Sequence, residues 1–502
     1  MKPHYLNIYE EASRCLLCHE APCTKACRKG DPARAIRAVR FDNYKQAIRW
    51  ICDCSDADLE RAEQACIHYN WPIRIKEMLN YICQNETAGE GADSEETVSN
   101  LPSLGIDFCG IPCENPFFLG SSAVCTNYEM VANAFDAGWG GVFYKTICMQ
   151  EIHEVSPRFD AMHSNGTHGD FYGFRNMEQL SEQPIEMDFD ILRRLKRDYP
   201  SKVVIASIMG QTDEEWETLA KMAESAGCDA VELNFSCPQM THEGMGSDVG
   251  QNPELVKRYT TCVKRSVHIP VIPKMTPNIT HITEPAAACV EAGADAISAI
   301  NTIKSVTMRM DAEVSGHRTI SGYSGRAVRP IAMRHVLELA QMSAKKTGGT
   351  GRIELSGIGG IETWRDALEF IQLGCSNVQV CTSVMQYGYR IVEDMKLGLQ
   401  HYMVMRGVTK LSELMGERLV RFLTPETLDR DTIIYPKFDK EKCVGCGRCF
   451  VSCNDGGHQA IVFDAETRTP RVVGSKCVGC HLCRLVCPAG AIGLSKRVKK
   501  TS

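Results

Sequence analysis

Between Cys443 and Pro488 the chain spells C-x2-C-x2-C-x3-C twice, first as Cys443, Cys446, Cys449 and Cys453 and then as Cys477, Cys480, Cys483 and Cys487. Three closely spaced thiolates can cap three corners of one [4Fe–4S] cube, while the fourth, carried away on a short helix, reaches the other cube. The pattern therefore predicts a two-cluster module of the ferredoxin kind. It assigns Cys443, Cys446, Cys449 and Cys487 to one cluster, and Cys477, Cys480, Cys483 and Cys453 to the other. A pair of zinc ribbons also uses C-x2-C, but zinc sites do not need eight cysteines in this doubled spacing. A chain built this way moves single electrons, and its remaining residues must say what chemistry stands at the other end.

Composition bounds that chemistry. At 502 residues the chain has room for roughly three domains. Its 44% hydrophobic and 24% charged content is that of an ordinary soluble protein, and no apolar run approaches the roughly 18 residues of a membrane span. Met1 to Arg14 is polar and lacks the apolar core of a secretory signal. Extracellular chains as rich in cysteine as this one, with 26, are short disulfide scaffolds. The thiols are therefore expected to be reduced and the setting cytoplasmic. Net charge is −6, and no block of like charges stands out beyond the short tail from Lys496 to Lys500. Neither nucleic acid nor a membrane surface is an expected partner.

A polar, acidic stretch over 85–100 reads as a linker and sets off a helical N-terminal segment, 1–84. From about Leu101 to Gly407, short β-branched runs alternate with helical periodicity. Eight strands are expected, at Pro116–Ser122, Gly141–Thr146, Val203–Met209, Ala230–Ser236, Pro270–Thr276, Ala296–Asn301, Ile353–Gly357 and Val378–Thr382. Helical stretches such as Glu214–Ala226 and Arg329–Lys346 separate many of them. Eight βα units predict an α/β fold, a (β/α)8 TIM barrel, over 101–425, followed by a ferredoxin-like domain over 426–502. Polar residues recur where each strand ends: Ser121 and Ser122, Lys145 and Thr146, Asn234 to Cys237, Lys274 and Thr276, Asn301 and Thr302, Gly359 and Gly360, Thr382 and Ser383. In a barrel those ends converge on one mouth, where active sites lie.

The sharpest signal at that mouth is Asn234-Phe-Ser-Cys-Pro238, followed by a glycine-bearing loop from Gly244 to Gln251 that reads as a flexible lid. A thiol with a pKa of about 8.5 keeps its proton at neutral pH and can give it to a substrate. Cys237 is thus a candidate proton donor, whereas Cys228, Cys262, Cys289 and Cys375 fall in helices or turns and read as structural. Lys145 and Lys274 end apolar strands, where a lysine loses hydration unless an acceptor meets it; a bound flavin and its substrate are the expected acceptors. Ser356-Gly-Ile-Gly-Gly360 and Thr382-Ser383 follow the seventh and eighth strands, where barrels bind phosphate on bare backbone N–H groups. Near the N-terminus, Cys15-x2-Cys18-x4-Cys23-x3-Cys27 has cluster spacing again, with Cys52, Cys54, Cys66 and Cys83 further on.

The segments Ala206–Gly210 (ASIMG), Leu233–Thr241 (LNFSCPQMT), Gly246–Gln251 (GSDVGQ), Lys274–Asn278 (KMTPN), Ala299–Thr302 (AINT), Ser321–Gly325 (SGYSG), Ser356–Trp364 (SGIGGIETW) and Cys443–Cys449 (CVGCGRC) closely resemble one family. It is that of the FMN and iron–sulfur subunits of bacterial NAD-dependent dihydropyrimidine dehydrogenases, and the likeness runs from about Ile106 to Leu494. The resemblance implies FMN in the barrel and uracil or thymine as substrate, reduced reversibly at the 5,6 double bond. It makes Cys237 the general acid at C5 and puts Asn234, Ser236, Asn301 and Thr302 around the pyrimidine. Lys274 would sit by the flavin N1–O2 edge, and Ser121, Ser122, Lys145, Thr146, Gly325, Gly359, Gly360, Cys381 and Thr382 would contact FMN. Mammalian members carry a further substrate asparagine, expected just after the third strand, where this chain has Gln211, Thr212 and Asp213.

Separately, Cys15 to Phe41 resembles the helical Fe–S domain that this family carries on its NAD-binding subunit or at the start of fused chains. That implies at least one N-terminal cluster, held from among Cys15, Cys18, Cys23, Cys27 and Cys66. Nowhere does the chain contain the G-x-G-x-x-G fingerprint of dinucleotide binding. The implied partner is an NAD(P)H- and FAD-binding flavoprotein subunit in a hetero-oligomer. Three rivals stand beside this reading. A dihydroorotate-type dehydrogenase would need a basic pocket for a carboxylate, and a tRNA dihydrouridine synthase would need a basic RNA-binding surface. A pure electron-transfer module would have a barrel without turnover.

Overall fold

The computed structural model describes residues 8–68, 70–86, 101–163, 171–238, 240, 244–306, 319–346 and 353–500. Their backbone clusters into two compact units, Ile8–Val420 and the segment from Arg421 onward. In the first unit eight parallel strands close into a barrel: β1 (Phe117–Leu119), β2 (Gly141–Phe143), β3 (Val203–Met209), β4 (Ala230–Asn234), β5 (Val271–Met275), β6 (Ala296–Ala299), β7 (Glu354–Ile358) and β8 (Asn377–Val380). Each pairs with the next, and β8 returns to β1 with Val378 opposite Phe117. All eight expected strands are present, but most end earlier than the β-branched runs suggested. Thr146, Ser236, Thr276, Asn301 and Thr382 stand just past the ladders, because backbone at the mouth turns away from its neighbour to bring side chains inward.

The far end of the barrel is plugged. Phe118, Phe143, Val203, Ile205, Ala230, Ile272 and Ala296 meet Phe108 and Cys113 from an antiparallel hairpin, Ile106–Phe108 with Ile111–Cys113. Burial of large side chains of this kind contributes about 1.5–3 kcal/mol each. With one end closed by hydrocarbon, only the mouth is left for chemistry. There a second sheet of four antiparallel strands, Phe159–His163, Phe171–Asn176, Ile303–Ser305 and Ser321–Ser324, is added from insertions after β2 and β6. The strand-and-helix reading of the sequence did not contain it.

The N-terminal helices, expected as a separate domain, belong to the same unit as the barrel. Helix Pro32–Arg40, capped by Asp31, buries one side against the barrel's outer helices Thr382–Tyr387 and Ile391–Arg406. Arg37 Nε donates to Asp394 Oδ2 at 2.5 Å and its Nη2 to Glu393 Oε2 at 2.5 Å. Arg40 donates to the Tyr387 hydroxyl at 3.1 Å, Phe41 meets the same ring edge-on, and Trp364 Nε1 donates to the Asp42 carbonyl at 2.8 Å. Burial opposes the Arg37 charge, but Asp394 and Glu393 outweigh it and raise its pKa. Burial also pushes the Asp394 carboxyl up to about 6, against the pull of Arg37. The two charge-assisted contacts at 2.5 Å hold the pair ionised. Of the expected linker over 85–100, Asn85 and Glu86 end the helix Ile75–Glu86 and the rest lies outside the described residues.

In the second unit, helix Arg448–Gly456 and the short helix Leu482–Leu485 pack on Ala460, Ile461 and Ile492. Strand Pro436–Phe438 pairs with Ile492–Leu494, and Ile461–Asp464 pairs with Thr469–Val472. The cysteines themselves fill the core, Cys449, Cys453 and Cys483 being buried.

Removing one partner of a buried ion pair costs about 3–5 kcal/mol, because the other charge is left without compensation. Arg37→Met should therefore loosen the N-terminal helices from the barrel. Limited proteolysis should cut the first 86 residues faster than in the parent while the barrel resists. Equal cutting would show that Phe41 and Trp364 hold the helices without the ion pair.

Candidate active site

The mouth opens into a cavity of about 970 Å³, counting the space that is continuous with solvent. Ser121 and Ser122 after β1, Lys145 and Thr146 after β2, and Asn234 and Cys237 from β4 and its loop line it, with Lys274 from β5. Asn301 and Thr302 after β6, Gly359 and Gly360 after β7, and Cys381 and Thr382 after β8 complete the ring, with Gly325 beyond the second sheet. Ser236 stands behind this wall, fully buried, and serves it indirectly. The loop beyond Cys237 differs from the expected lid where it is described. Gly244–Gln251 is packed, Met245 is buried, and Ser247 N–H donates to the Cys237 carbonyl at 2.9 Å. Gly246 lies at φ +60°, and a Cβ there would meet that carbonyl at 2.3 Å, so the glycine lets this stretch buttress Cys237 from behind. Gln239 and residues 241–243 lie outside the described residues.

One hydrogen-bonded chain sets the amides. Asn301 Nδ2 donates to Ser236 Oγ at 2.8 Å, Ser236 Oγ donates to Asn234 Oδ1 at 2.8 Å, and Asn234 Nδ2 donates to Thr146 Oγ1 at 2.9 Å. The Thr302 backbone N–H donates to Asn301 Oδ1 at 2.7 Å, which fixes that amide's orientation. Beneath them Thr146, Ser207 and Glu232 continue the chain at 2.9 Å per step. Locked side chains of this sort present donors and acceptors to a ligand without first losing rotamer freedom.

Every cation on the wall has a carboxylate beside it. Lys145 pairs with Glu178 at 2.9 Å, Lys274 with Glu232 at 3.4 Å, and Arg326 with Glu362 at 3.8 Å. Burial pushes the Glu362 carboxyl up, and Arg326 and Arg40 pull it back down. Burial likewise raises the Cys381 thiol, partly offset by Lys274, so that Cys381 is a neutral wall group.

The sequence reading missed Asn176 and Glu178. They reach the cavity from strand Phe171–Asn176 and the turn after it. Gln211 to Asp213, where a further substrate asparagine was looked for, do not line the cavity, whereas Asn176 does. The signal was present as Arg175-Asn-Met-Glu178, a polar end to a short strand, but without the second sheet nothing directed it to the mouth.

The residues present suit FMN. Gly359 and Gly360 hold φ of +133° and +75°, and a Cβ on Gly360 would come within 2.9 Å of Arg329 N and of the Gly325 carbonyl. This tight packing requires glycine, and the turn after β7 borders the cavity with bare backbone, as the phosphate-binding turns of barrels do. Thr382 Oγ1 and Ser324 Oγ lie 2.9 Å apart beside it. Deeper in, Gln379 donates to Ser298 and Ser356, while its buried Oε1 has no hydrogen-bond partner, an acceptor left for a hydroxyl-bearing ligand.

Away from the mouth, three smaller cavities are lined by cysteine. In the second unit one of about 360 Å³ is bounded by Cys443, Cys446, Cys449 and Cys487, and another of about 350 Å³ by Cys453, Cys477, Cys480 and Cys483. In the N-terminal helices Cys15, Cys18, Cys23 and Cys66 surround about 380 Å³. Cys27 is not among them; its Sγ lies 3.6 Å from that of Cys54, and both thiols donate to the Lys29 carbonyl. The helix Pro22–Ala26 ends between Cys23 and Cys27 and turns the latter away from the first three.

Comparison with known proteins agrees with this geometry. The family model of dihydroorotate dehydrogenase matches residues 103–403, and that of the 4Fe-4S dicluster domain matches 437–494. The chain is 51% identical over 400 residues to the NAD-dependent dihydropyrimidine dehydrogenase subunit PreA of Escherichia coli (strain K12), covering 78% of this chain and 95% of that one. It is 40% identical over 347 residues to the chloroplastic dihydropyrimidine dehydrogenase (NADP(+)) of Arabidopsis thaliana, covering 66% of this chain and 81% of the relative. Over 320 residues it is 37% identical to the dihydroorotate dehydrogenase B (NAD(+)) catalytic subunit of Pyrococcus abyssi, covering 62% and 98%. The chain therefore belongs to the dihydroorotate dehydrogenase family, among the dihydropyrimidine dehydrogenase subunits that join this barrel to a 4Fe-4S dicluster domain.

Proposed function

We propose that this chain is the pyrimidine-reducing subunit of a dihydropyrimidine dehydrogenase, interconverting uracil or thymine and the 5,6-dihydropyrimidine. The observation that carries the reading is the neutral character of the cavity's recognition groups: Asn234, Asn301, Thr302 and Asn176 surround the space beside Cys237, and each wall cation is already matched by a carboxylate. A neutral pyrimidine is read by amides. Orotate brings a carboxylate, and a cavity built for it would hold a cation without a counter-charge. The resemblance to dihydroorotate dehydrogenases is thus one of barrel and flavin, and the substrate reading follows the side chains.

FMN, when bound, supplies the hydride chemistry at the pyrimidine double bond. The chain's own residues do the rest. Asn234 and Asn301 hold the pyrimidine edge, with Ser236 and Thr146 keeping both amides in register. Cys237 Sγ keeps the proton that C5 receives, on a loop that the packed stretch Gly244–Gln251 steadies. The mouth is the only wide opening to the barrel interior among the described residues, since the other end is plugged by Phe108, Phe118 and Phe143.

The three cysteine-lined cavities hold [4Fe–4S] clusters: two in the second unit, with the ligand sets Cys443, Cys446, Cys449, Cys487 and Cys453, Cys477, Cys480, Cys483, and one at Cys15, Cys18, Cys23 and Cys66. A separate NAD(P)H-oxidising flavoprotein subunit exchanges electrons with them, in keeping with the absence of a dinucleotide fingerprint. All 26 cysteines are unbridged, which suits a reducing cytoplasm. No helix among the described residues is long and apolar enough to cross a membrane.

Purified anaerobically and reduced by viologen, the protein should consume uracil and thymine but not orotate. Cys237→Ala should retain FMN and iron yet lose about two or more orders of magnitude in turnover, the usual worth of a positioned acid. Turnover close to the parent's would remove Cys237 from the mechanism, and a preference for orotate would return the chain to the dihydroorotate reaction.

NADH alone should not reduce the flavin of the isolated chain, whereas dithionite should. Rapid bleaching of the flavin absorbance by NADH, with no second protein present, would place a nicotinamide site on this chain and exclude the partner subunit.

A further inference from the structure

Among the described residues, Glu232 is a carboxylate of the barrel interior that faces neither solvent nor the cavity of the mouth. It is fully buried in the middle of β4, flanked in sequence by Val231 and Leu233, and is not part of the cavity wall. Its Oε1 takes two donors, Ser207 Oγ at 2.9 Å and Lys274 Nζ at 3.4 Å. Its Oε2 has no hydrogen-bond partner among the described residues. Burying an ionised carboxylate this far is expensive without a counter-charge, and Lys274, itself only 2% exposed, supplies it. The pairing follows from strand register, since Ser207 lies directly opposite Glu232 across β3 and β4 while Lys274 lies opposite Asn234, two residues further along the same face of β4.

The contact to Lys274 is long for a charge-assisted hydrogen bond. Lys274 is therefore held but not consumed, and its remaining N–H groups are available to the cavity that it lines. What the geometry fixes is the amount of positive charge that one lysine shows to whatever occupies the mouth.

We propose that Glu232 is a positioning residue of the flavin site: it aims Lys274 at the cavity and cancels part of its charge, and in doing so sets the reduction potential of bound FMN. This rests on the placement of Lys274 beside the flavin. A cation near the N1–O2 edge favours the electron-rich reduced flavin, so a carboxylate behind that cation works in the opposite direction. The proton acid Cys237 lies on a different loop, and the role of Glu232 is separate from it. Ser207 shares Oε1 with Lys274 and so moderates how strongly the carboxylate holds the lysine.

The test uses the FMN-loaded full chain, with two readouts that are independent of turnover. These are the midpoint potential of the flavin at pH 6 and the affinity of the oxidised flavin for sulfite, which binds more tightly the more positive its surroundings. Glu232→Gln, nearly the same shape without the charge, should tighten sulfite binding at least tenfold and raise the potential by about 30 mV or more, the shift equivalent to tenfold in a two-electron equilibrium. Glu232→Asp, which keeps the charge, should stay within about threefold of the parent. Lys274→Met should move both readouts the other way. If Lys274→Met shifts them and Glu232→Gln does not, the inference fails and the placement of Lys274 stands; if Lys274→Met leaves them unchanged, both fail. Should Glu232→Gln not retain FMN, Ser207→Ala decides the matter. With the competing hydroxyl gone the carboxylate bears on Lys274 alone, and sulfite binding should weaken at least threefold. Unchanged or tighter binding in that variant overturns the proposal.

Discussion

Closure of the parallel ladder, with β8 pairing back onto β1, is the constraint on which the site depends. A closed barrel has no edge, so every inward residue of all eight strands must share one interior. At the plugged end that interior is hydrocarbon. Toward the mouth it becomes polar in steps, through Ser207, Glu232, Ser298, Ser356 and Gln379, all buried and, except for Glu232 Oε2 and Gln379 Oε1, drawn into hydrogen bonds with one another or with Lys274. The gradient lets charged and amide groups stand deep in a protein, because each rests on a layer of hydroxyls instead of on bare hydrocarbon.

The second sheet and the N-terminal helices work on this frame from outside. The sheet adds Phe174, Asn176, Tyr323 and Ser324 to one wall of the mouth, so the cavity lining is shared between barrel strands and an insertion. The N-terminal helices attach to the outer helices around β8, where Arg40 donates both to the Cys15 carbonyl and to the Tyr387 hydroxyl. A single buried guanidinium thus touches the backbone of a cysteine that lines the N-terminal cavity and the helix that begins at Thr382 on the wall of the mouth. Docking of this sort explains why a segment outside the matched family model is part of one compact unit with the barrel.

Much of this was legible in the sequence, for identifiable reasons. The eight strands announce themselves because parallel strands buried on both faces are continuous apolar runs. The polar residues at their ends are visible because they interrupt those runs. The second sheet was not legible: Phe159–His163 and Phe171–Asn176 mix aromatic, small and charged residues without a clean alternation, their burial being set by contact with the mouth and not by a core of their own. Asn176 and Glu178 were missed with it. Cys27 shows a different limit. Spacing alone groups it with Cys15, Cys18 and Cys23, but a five-residue helix opened by Pro22 reorients the chain between Cys23 and Cys27, and Cys66, far away in sequence, lines the cavity with the first three. No count of intervening residues contains that turn.

Charge in the mouth follows one rule, and it decides between substrates better than fold does. Lys145, Lys274 and Arg326 each arrive with a carboxylate, so the wall of the cavity is close to neutral despite its three cations. In the proposed reading a phosphate-bearing cofactor would be met mainly by backbone at Gly359 and Gly360 and by hydroxyls, which bind an anion without demanding a free positive charge. The substrate of the proposed reaction would in turn meet amides locked by Ser236 and Thr146. A site with unpaired cations would hold an anionic pyrimidine well and a neutral one poorly, because desolvating those cations would go uncompensated. The same barrel can serve either chemistry, and in the proposed reading the pairing of Glu178 and Glu362 on the wall, and of Glu232 behind it, with the three cations is what turns this one toward uncharged rings.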